Sequence, residues 1–242
     1  MTARILSAGD RALLVQADDL ESTMAVAALL RQARLPQVED LIPAAETVLV
    51  RVTDGTELTE LGARILDLIT GTEIETAGRT TGDPFVIPVH YDGPDLSDVA
   101  QATGLSVAEV IGAHTETVWR AAFVGFAPGF AYLAGGDERL QVPRRTESRT
   151  SVPAGSVALA GHFSAVYPRR SPGGWQLIGS TSATLWDVDA DPPAAIRPGG
   201  WVRFVDADSD PTTTTDNDAV VVGSALDRTS VVGPGAMTGG RS

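Results

Sequence analysis

The stretch from Val118 to Thr181 limits what this chain can fold into more than any other. Its apolar runs, AAFVGF, SVALAG, AVYP and WQLIG, are short and are separated by glycine and proline. Such runs cannot fill several helical turns. Bounded by turn formers, they read as strands of a β-rich meander or barrel wall. Gly and Pro also fall inside the runs, where they impose tight backbone constraints and mark bends or close approaches. Arg144, Arg145, Arg149, Arg169 and Arg170 crowd the later part of the stretch.

That crowding stands out against the charge of the whole chain. Lys and Arg number 18 against 31 Asp and Glu, a net charge of −13 over 242 residues. Such a balance argues against nucleic acid and against anionic membrane surfaces as partners. It makes the arginine cluster a local exception. Cysteine is absent, so no disulfide, thiolate metal site or cysteine nucleophile is available. No apolar run approaches the roughly 20 residues of a membrane span, and no charged-then-apolar leader opens the sequence. The expected location is the cytoplasm.

The first part of the chain has a different grammar. Residues 4–16 read as a strand pair turning at Gly9-Asp10. Leu20 to Arg34 is rich in Ala and Leu and favours helix, with Met24, Ala27, Ala28 and Arg31 on one face. Val38 to Val52 gives two strands around Pro43-Ala44. Asp54 or Thr56 is placed to cap the next helix, which carries Leu58, Leu61, Ile65, Leu68 and Ile69 on one face and stops at Gly71. The order β-α-β-β-α, with PFVIPVHY as candidate last strand, matches a ferredoxin-like split βαβ unit. This half reads as scaffold.

The polar segment Thr76–Pro84 is the expected link between domains. Two short helices follow, one starting at Asp95 and one at Ser106, where Ser106 and Glu109 form a capping box and Leu105 with Val110 a hydrophobic staple. The fold class is therefore α+β: a ferredoxin-like domain over 1–82, a β-barrel domain over 83–205, and an acidic linker with a flexible tail over 206–242.

The familiar catalytic motifs are missing. There is no nucleophile elbow, P-loop, zinc-protease motif or metal-ligand spacing. Of three histidines, His114 reads as structural or surface-exposed near a helix end, and His90 ends a strand. His162, beside the arginine-bearing segments, is the weak catalytic candidate, because imidazole titrates near neutrality. Arg144 and Arg145 are the sharper site candidates. In an extended segment they point to opposite sides, so one can line a cleft while the other pairs outside it. Guanidinium suits carboxylate or phosphate through its planar fork. The competing reading ties these arginines to Asp137, Glu138 or Glu147. PAGSVALAG and SPGGWQLIG can bring backbone N–H groups to a ligand. Ser156, Gly161, Gly173 and Gly174 are the candidates there, or else simple turn formers. Tyr132, Tyr167 and Trp175 read as pocket wall or packing, and Phe126 and Phe130 as core or an interface rim.

GFAPGFAYLAGGDERLQVPRR, SVPAGSVALAG and YPRRSPGGWQLIGST, in that order, resemble the signature of the allophanate-hydrolase-subunit-1 family, which also takes in KipI-like proteins and the B subunits of 5-oxoprolinases. Weaker matches at AGDRALLV, VEDLIPAAETVLVRV and PVHYDGPDL extend the likeness over 5–205. The resemblance implies that the barrel is cyclophilin-like, and it favours Arg144 and Arg145 as site residues because both stand in its PRR block. It implies the B subunit of an ATP-dependent 5-oxoprolinase, working with a homologous C subunit (allophanate hydrolase subunit 2-like) and with the LamB/YcsF-like A subunit. ATP with Mg belongs to the assembly and not to this chain alone. A KipI-like inhibitor of a sensor histidine kinase and the carboxyltransferase half of a urea carboxylase are the alternatives. The sequence departs from the family pattern at Ala131, where Pro is expected, and at His162–Val166, where a Gln-Thr-Gly-Ile type segment is common.

Overall fold

An N-terminal hairpin starts the first sheet. β1 (Ala3–Ser7) and β2 (Ala12–Ala17) run antiparallel, joined by the turn at Gly9. This computed structural model describes residues 2–72 and 83–209. Most of the expected link and the tail from 210 onward lie outside the described residues.

α1 (Leu20–Ala33) follows, capped by Asp19, whose carboxylate accepts the Ser22 N–H at 2.7 Å. Its buried stripe is Thr23, Val26, Ala27 and Leu30, an i, i+3, i+4, i+7 set. The expected stripe is thus corrected: Ala28 and Arg31 face solvent, because Val26 and Leu30 bury more apolar surface than the alanines. β3 (Val38–Pro43), β4 (Thr47–Val52) and α2 (Leu58–Gly71) complete the unit. In α2, Leu61, Ile65 and Ile69 pack against Val15, Val48 and Val50. Each such side chain contributes about 1.5–3 kcal/mol through burial. Neither Asp54 nor Thr56 caps α2: Thr56 donates instead to the Thr53 carbonyl at 2.8 Å, and Asp54 pairs with Arg11.

The sheet order is β1-β2-β4-β3, all antiparallel. The edge beside β2 that a final strand was expected to fill is taken by β1. PFVIPVHY contributes instead β5 (Phe85–Val89), which pairs in parallel with a strand of the second sheet. The outer strand β3 shifts register between Val38 and Asp40, exposes Glu39 and Asp40, and ends in Pro43.

After β5 come α3 (Leu96–Thr103) and α4 (Val107–Glu116). The Ser106–Glu109 capping box is present, with both reciprocal hydrogen bonds made. The β-rich region supplies β6 (Val118–Val124), β7 (Ala131–Ala134), β8 (Arg149–Val152), β9 (Ser156–Ala160), β10 (Phe163–Val166), β11 (Ser171–Gly173), β12 (Gln176–Ser180) and β13 (Trp201–Asp206). Seven strands form a sheet in the order β12-β9-β10-β7-β6-β13-β5, while β8 and β11 make a separate pair. The larger sheet nearly closes. Beyond β5, His90 and Ser180 exchange two backbone hydrogen bonds of 2.8 Å, and the Asp95 N–H donates to the Leu177 carbonyl at 3.0 Å. Gly93 makes this seam possible, since a Cβ there would run into the backbone of Leu177 and Ile178. The architecture is α+β: a ferredoxin-like layer followed by a cyclophilin-like barrel. Both sheets belong to one compact unit and meet where Leu20, Met24 and Ala45 pack on Phe123 and Ala134.

Inside the barrel sits His114, fully buried and not at the surface. Its ring stacks on Phe204 at 4.1 Å, and its nitrogens lie 2.7 Å from Tyr91 Oη and 2.8 Å from Ser164 Oγ. The segment that departs from the family pattern therefore supplies Ser164 to the core. Burial pushes the His114 imidazole down to about 3 from its ordinary 6.5. The unfolded chain takes up this proton first, so the stability contributed by neutral His114 is complete above pH 6.5 and is lost as pH falls toward 3. We expect urea-unfolding stability to fall by about 1 kcal/mol per pH unit from pH 6.5 to 5, where most carboxylates remain ionised. In His114→Gln that slope should flatten; an unchanged slope would assign it to other groups.

Candidate functional site

Three segments far apart in sequence converge on one carboxylate. Asp95, at the start of α3, is 1% exposed. Its Oδ1 accepts from Arg145 Nη1 and Arg149 Nη2, both at 2.7 Å. Its Oδ2 accepts from Arg149 Nη1 at 2.9 Å and from the Leu177 backbone N–H at 2.7 Å. Burial pushes this carboxyl up, but the Arg149 hydrogen bond, the Leu177 amide and the charges of Arg149 and Arg145 outweigh it and hold the group below its ordinary 3.8. The acid that pairs these arginines is thus Asp95. Asp137, a candidate from the sequence, pairs with Arg139 instead. Asp95 begins a helix yet makes no side-chain cap, since its oxygens are committed to the arginines.

Arg144 turns the other way. Its guanidinium carbon lies 6.0 Å from the centroid of the Trp175 ring, and among the described residues it makes no ion pair. It lines a pocket of about 230 Å3. The walls are aromatic: Phe130, Tyr167 and Trp175 are buried beneath it, Tyr132 is half-buried at its side, and Phe126 stands exposed at its rim. Gly173 and Gly174 form the remaining edge. A Cβ on Gly173 would strike the Tyr167 hydroxyl, and one on Gly174 would come within 2.7 Å of Ser148 Oγ. Backbone can therefore approach here where a side chain cannot. The Arg145 N–H donates to the Gly174 carbonyl at 2.8 Å, which fixes the edge to the arginine segment.

The structure brings Tyr132, Arg144, Gly173, Gly174 and Trp175 together in this pocket. Arg145 instead belongs to the Asp95 cluster. Ser156 lies in β9 and Gly161 bridges Val142, both off the pocket lining. His162 lies in a different hollow, of about 180 Å3, with Trp119, Gly136 and Phe163. His90 is exposed beside Asp208, with 3.0 Å between Nδ1 and Oδ1. Arg170 donates to Ser151 at 2.9 Å, and Arg169 is exposed.

Chemically, the pocket is a cation set among aromatic faces. Burial pushes the Tyr132 and Tyr167 phenols up, opposed in both by the Arg144 charge. Both stay protonated at neutral pH and serve as hydrogen-bonding, non-ionic walls. A small anion with a flat face fits this chemistry: the guanidinium holds the charge and the rings cover the plane. Among the described residues, the lining contains no imidazole or carboxylate positioned to act as a general base.

A nearly closed barrel appended to a ferredoxin-like layer, with such a pocket on its wall, is a carboxyltransferase-type domain. The carboxyltransferase domain family, subdomain C and D, matches residues 3–196. The chain belongs to that family. Among curated relatives, the B subunit of 5-oxoprolinase from Escherichia coli O157:H7 is 50% identical over 122 residues, covering 49% of this chain and 56% of the relative. The chain thus spans about half the length of the curated relatives it matches. A conserved uncharacterized protein of Pyrococcus horikoshii superposes with a TM-score of 0.50 at 34% identity, over 84% of this chain and 97% of that one. Kluyveromyces lactis urea amidolyase superposes with a TM-score of 0.68 at 16% identity, over 84% of this chain and 15% of that one, a likeness of fold alone.

Removing the shared carboxylate should leave two guanidinium groups facing a buried hole. Asp95→Ala is expected to lower stability by about 3 kcal/mol, the lower end for a broken buried pair because the arginines are partly hydrated. Chemical denaturation measures it, and a loss under about 1 kcal/mol would demote the cluster to a surface-like pairing.

Proposed function

We propose that this chain is the B subunit of an ATP-dependent 5-oxoprolinase of the cytoplasm, active together with a homologous C subunit and the LamB/YcsF-like A subunit. The observation that carries the reading is the Arg144 guanidinium, without an ion pair among the described residues, over Trp175 in an aromatic pocket. It stands in a chain 50% identical over 122 residues to the Escherichia coli protein. 5-Oxoproline is a small carboxylate on a flat lactam ring. Arg144 would hold the carboxylate, Trp175 and Tyr132 would cover the ring, and Gly173 and Gly174 would let the backbone approach it.

Opening the ring breaks the lactam C–N bond. The oxygen of water ends on the carbonyl carbon as the new carboxylate, and nitrogen takes a proton to become the amine of glutamate. The chain's own part is to bind, orient and shield the substrate. ATP supplies the driving force in the assembly. Its fit to this chain is poor: no P-loop is present, and among the described residues no three acidic or imidazole side chains gather to hold a metal. In this reading Mg-ATP is held elsewhere in the assembly. With no general base among the described residues of the pocket wall, the reading has another polypeptide complete the site. The likeness to urea amidolyase concerns the fold, and nothing in the pocket favours urea over a carboxylate.

In the reconstituted three-component assembly, Arg144→Ala should raise KM for 5-oxoproline about 10- to 100-fold, the equivalent of one charge-assisted hydrogen-bond pair. Arg144→Lys should recover part of it. Unchanged kinetics in both variants would remove Arg144 from the site, and ATP-dependent turnover by the isolated chain would end the shared-site reading.

A further inference from the structure

Phe126 combines two features that folding alone selects against. Its φ is +66°, in the left-handed region that favours glycine, and its side chain is 58% exposed. A hydrogen bond from the Ala127 N–H to the Gly125 carbonyl, at 2.7 Å, closes a three-residue turn around it. Turns of this kind with a positive central φ are rare and strained. The loop is nevertheless firmly held. The Gly125 N–H donates to the Phe130 carbonyl at 3.1 Å and the Phe130 N–H to the Ala127 carbonyl at 3.0 Å. Gly129, at φ +79°, lies so close to Leu185 and Trp186 that a Cβ there would touch them. The surroundings thus impose the conformation at Phe126.

What the strain achieves is the placement of one ring. Phe126 stands edge-to-face with Phe130 at 5.2 Å and with Tyr167 at 6.3 Å, at the mouth of the pocket that holds Arg144. A glycine would suit the backbone and a polar side chain would suit the solvent. We infer that Phe126 is the outer wall of the substrate pocket and a specificity-determining residue: it covers the exposed face of a flat, singly charged carboxylate whose charge Arg144 holds. This rests on the functional reading above and adds to it the residue that separates flat from bulky or open-chain anions. By excluding water beside Arg144, the ring strengthens the ion pair beneath it.

The test is kinetic and thermal together, with the full chain in the three-component assembly and 5-oxoproline as probe. Phe126→Gly should raise KM about tenfold with kcat changed less than about threefold, while Phe126→Leu, which keeps apolar cover, should raise it less. The Tm of the Phe126→Gly chain should stay within about 2 °C of the parent or rise, because the strain is released. A Tm loss of many degrees would make Phe126 a packing residue and overturn the inference. An unchanged KM with an active parent assembly would overturn it while leaving the functional reading standing. A parent assembly that does not open 5-oxoproline would overturn the functional reading, and this inference with it.

Discussion

The buried carboxylate of Asp95 is the interaction on which the rest depends. A lone carboxylate removed from water is costly, and its solvation here comes from two guanidinium groups and the Leu177 amide. Those donors sit on segments that have no local reason to meet. Their demand for one acceptor fixes the start of α3, the arginine segment that runs into β8 and the strand β12 against each other. Such a cluster is worth more for direction than for net stability, because a well-packed apolar core could have held the same segments together without specifying their register.

From that anchor the pocket follows. With Arg145 bound to Asp95 by its side chain and to Gly174 by its backbone, the neighbouring Arg144 is turned outward toward Trp175. One arginine is taken up by the Asp95 carboxylate, and the other has no ion pair among the described residues. The barrel behind it supplies stiffness: β12 is held on one flank by β9 and on the other by the seam at His90 and Ser180, so the Gly173–Trp175 edge that precedes it has little freedom to drift. His114, held neutral in the interior, adds directional bonds to Tyr91 and Ser164 without bringing charge into the core.

Much of this was legible in the chain itself. Short apolar runs broken by Gly and Pro identified the barrel wall, and the periodicity of Leu61, Ile65 and Ile69 identified α2, because both patterns are local. Alternation along an extended segment anticipated that Arg144 and Arg145 diverge. The identity of their acid was not legible. Asp95 lies fifty residues away from Arg145, and in sequence it looks like an ordinary helix start. The destination of PFVIPVHY was equally hidden, because strand pairing is decided by which sheet has a free edge, and β1 had already taken the first one. Phe126 looked like core or rim; its positive φ cannot be read from a Gly-Phe pair. Nor does sequence distance predict that His162 and Arg144 face different hollows.

The outer strand β3 also has a bearing on how the protein behaves in concentrated solution. Its register shift, its two acidic side chains and its terminal proline interrupt the row of hydrogen-bonding groups that an intruding chain would need. That edge of the ferredoxin-like sheet therefore offers a poor template for the addition of a foreign strand.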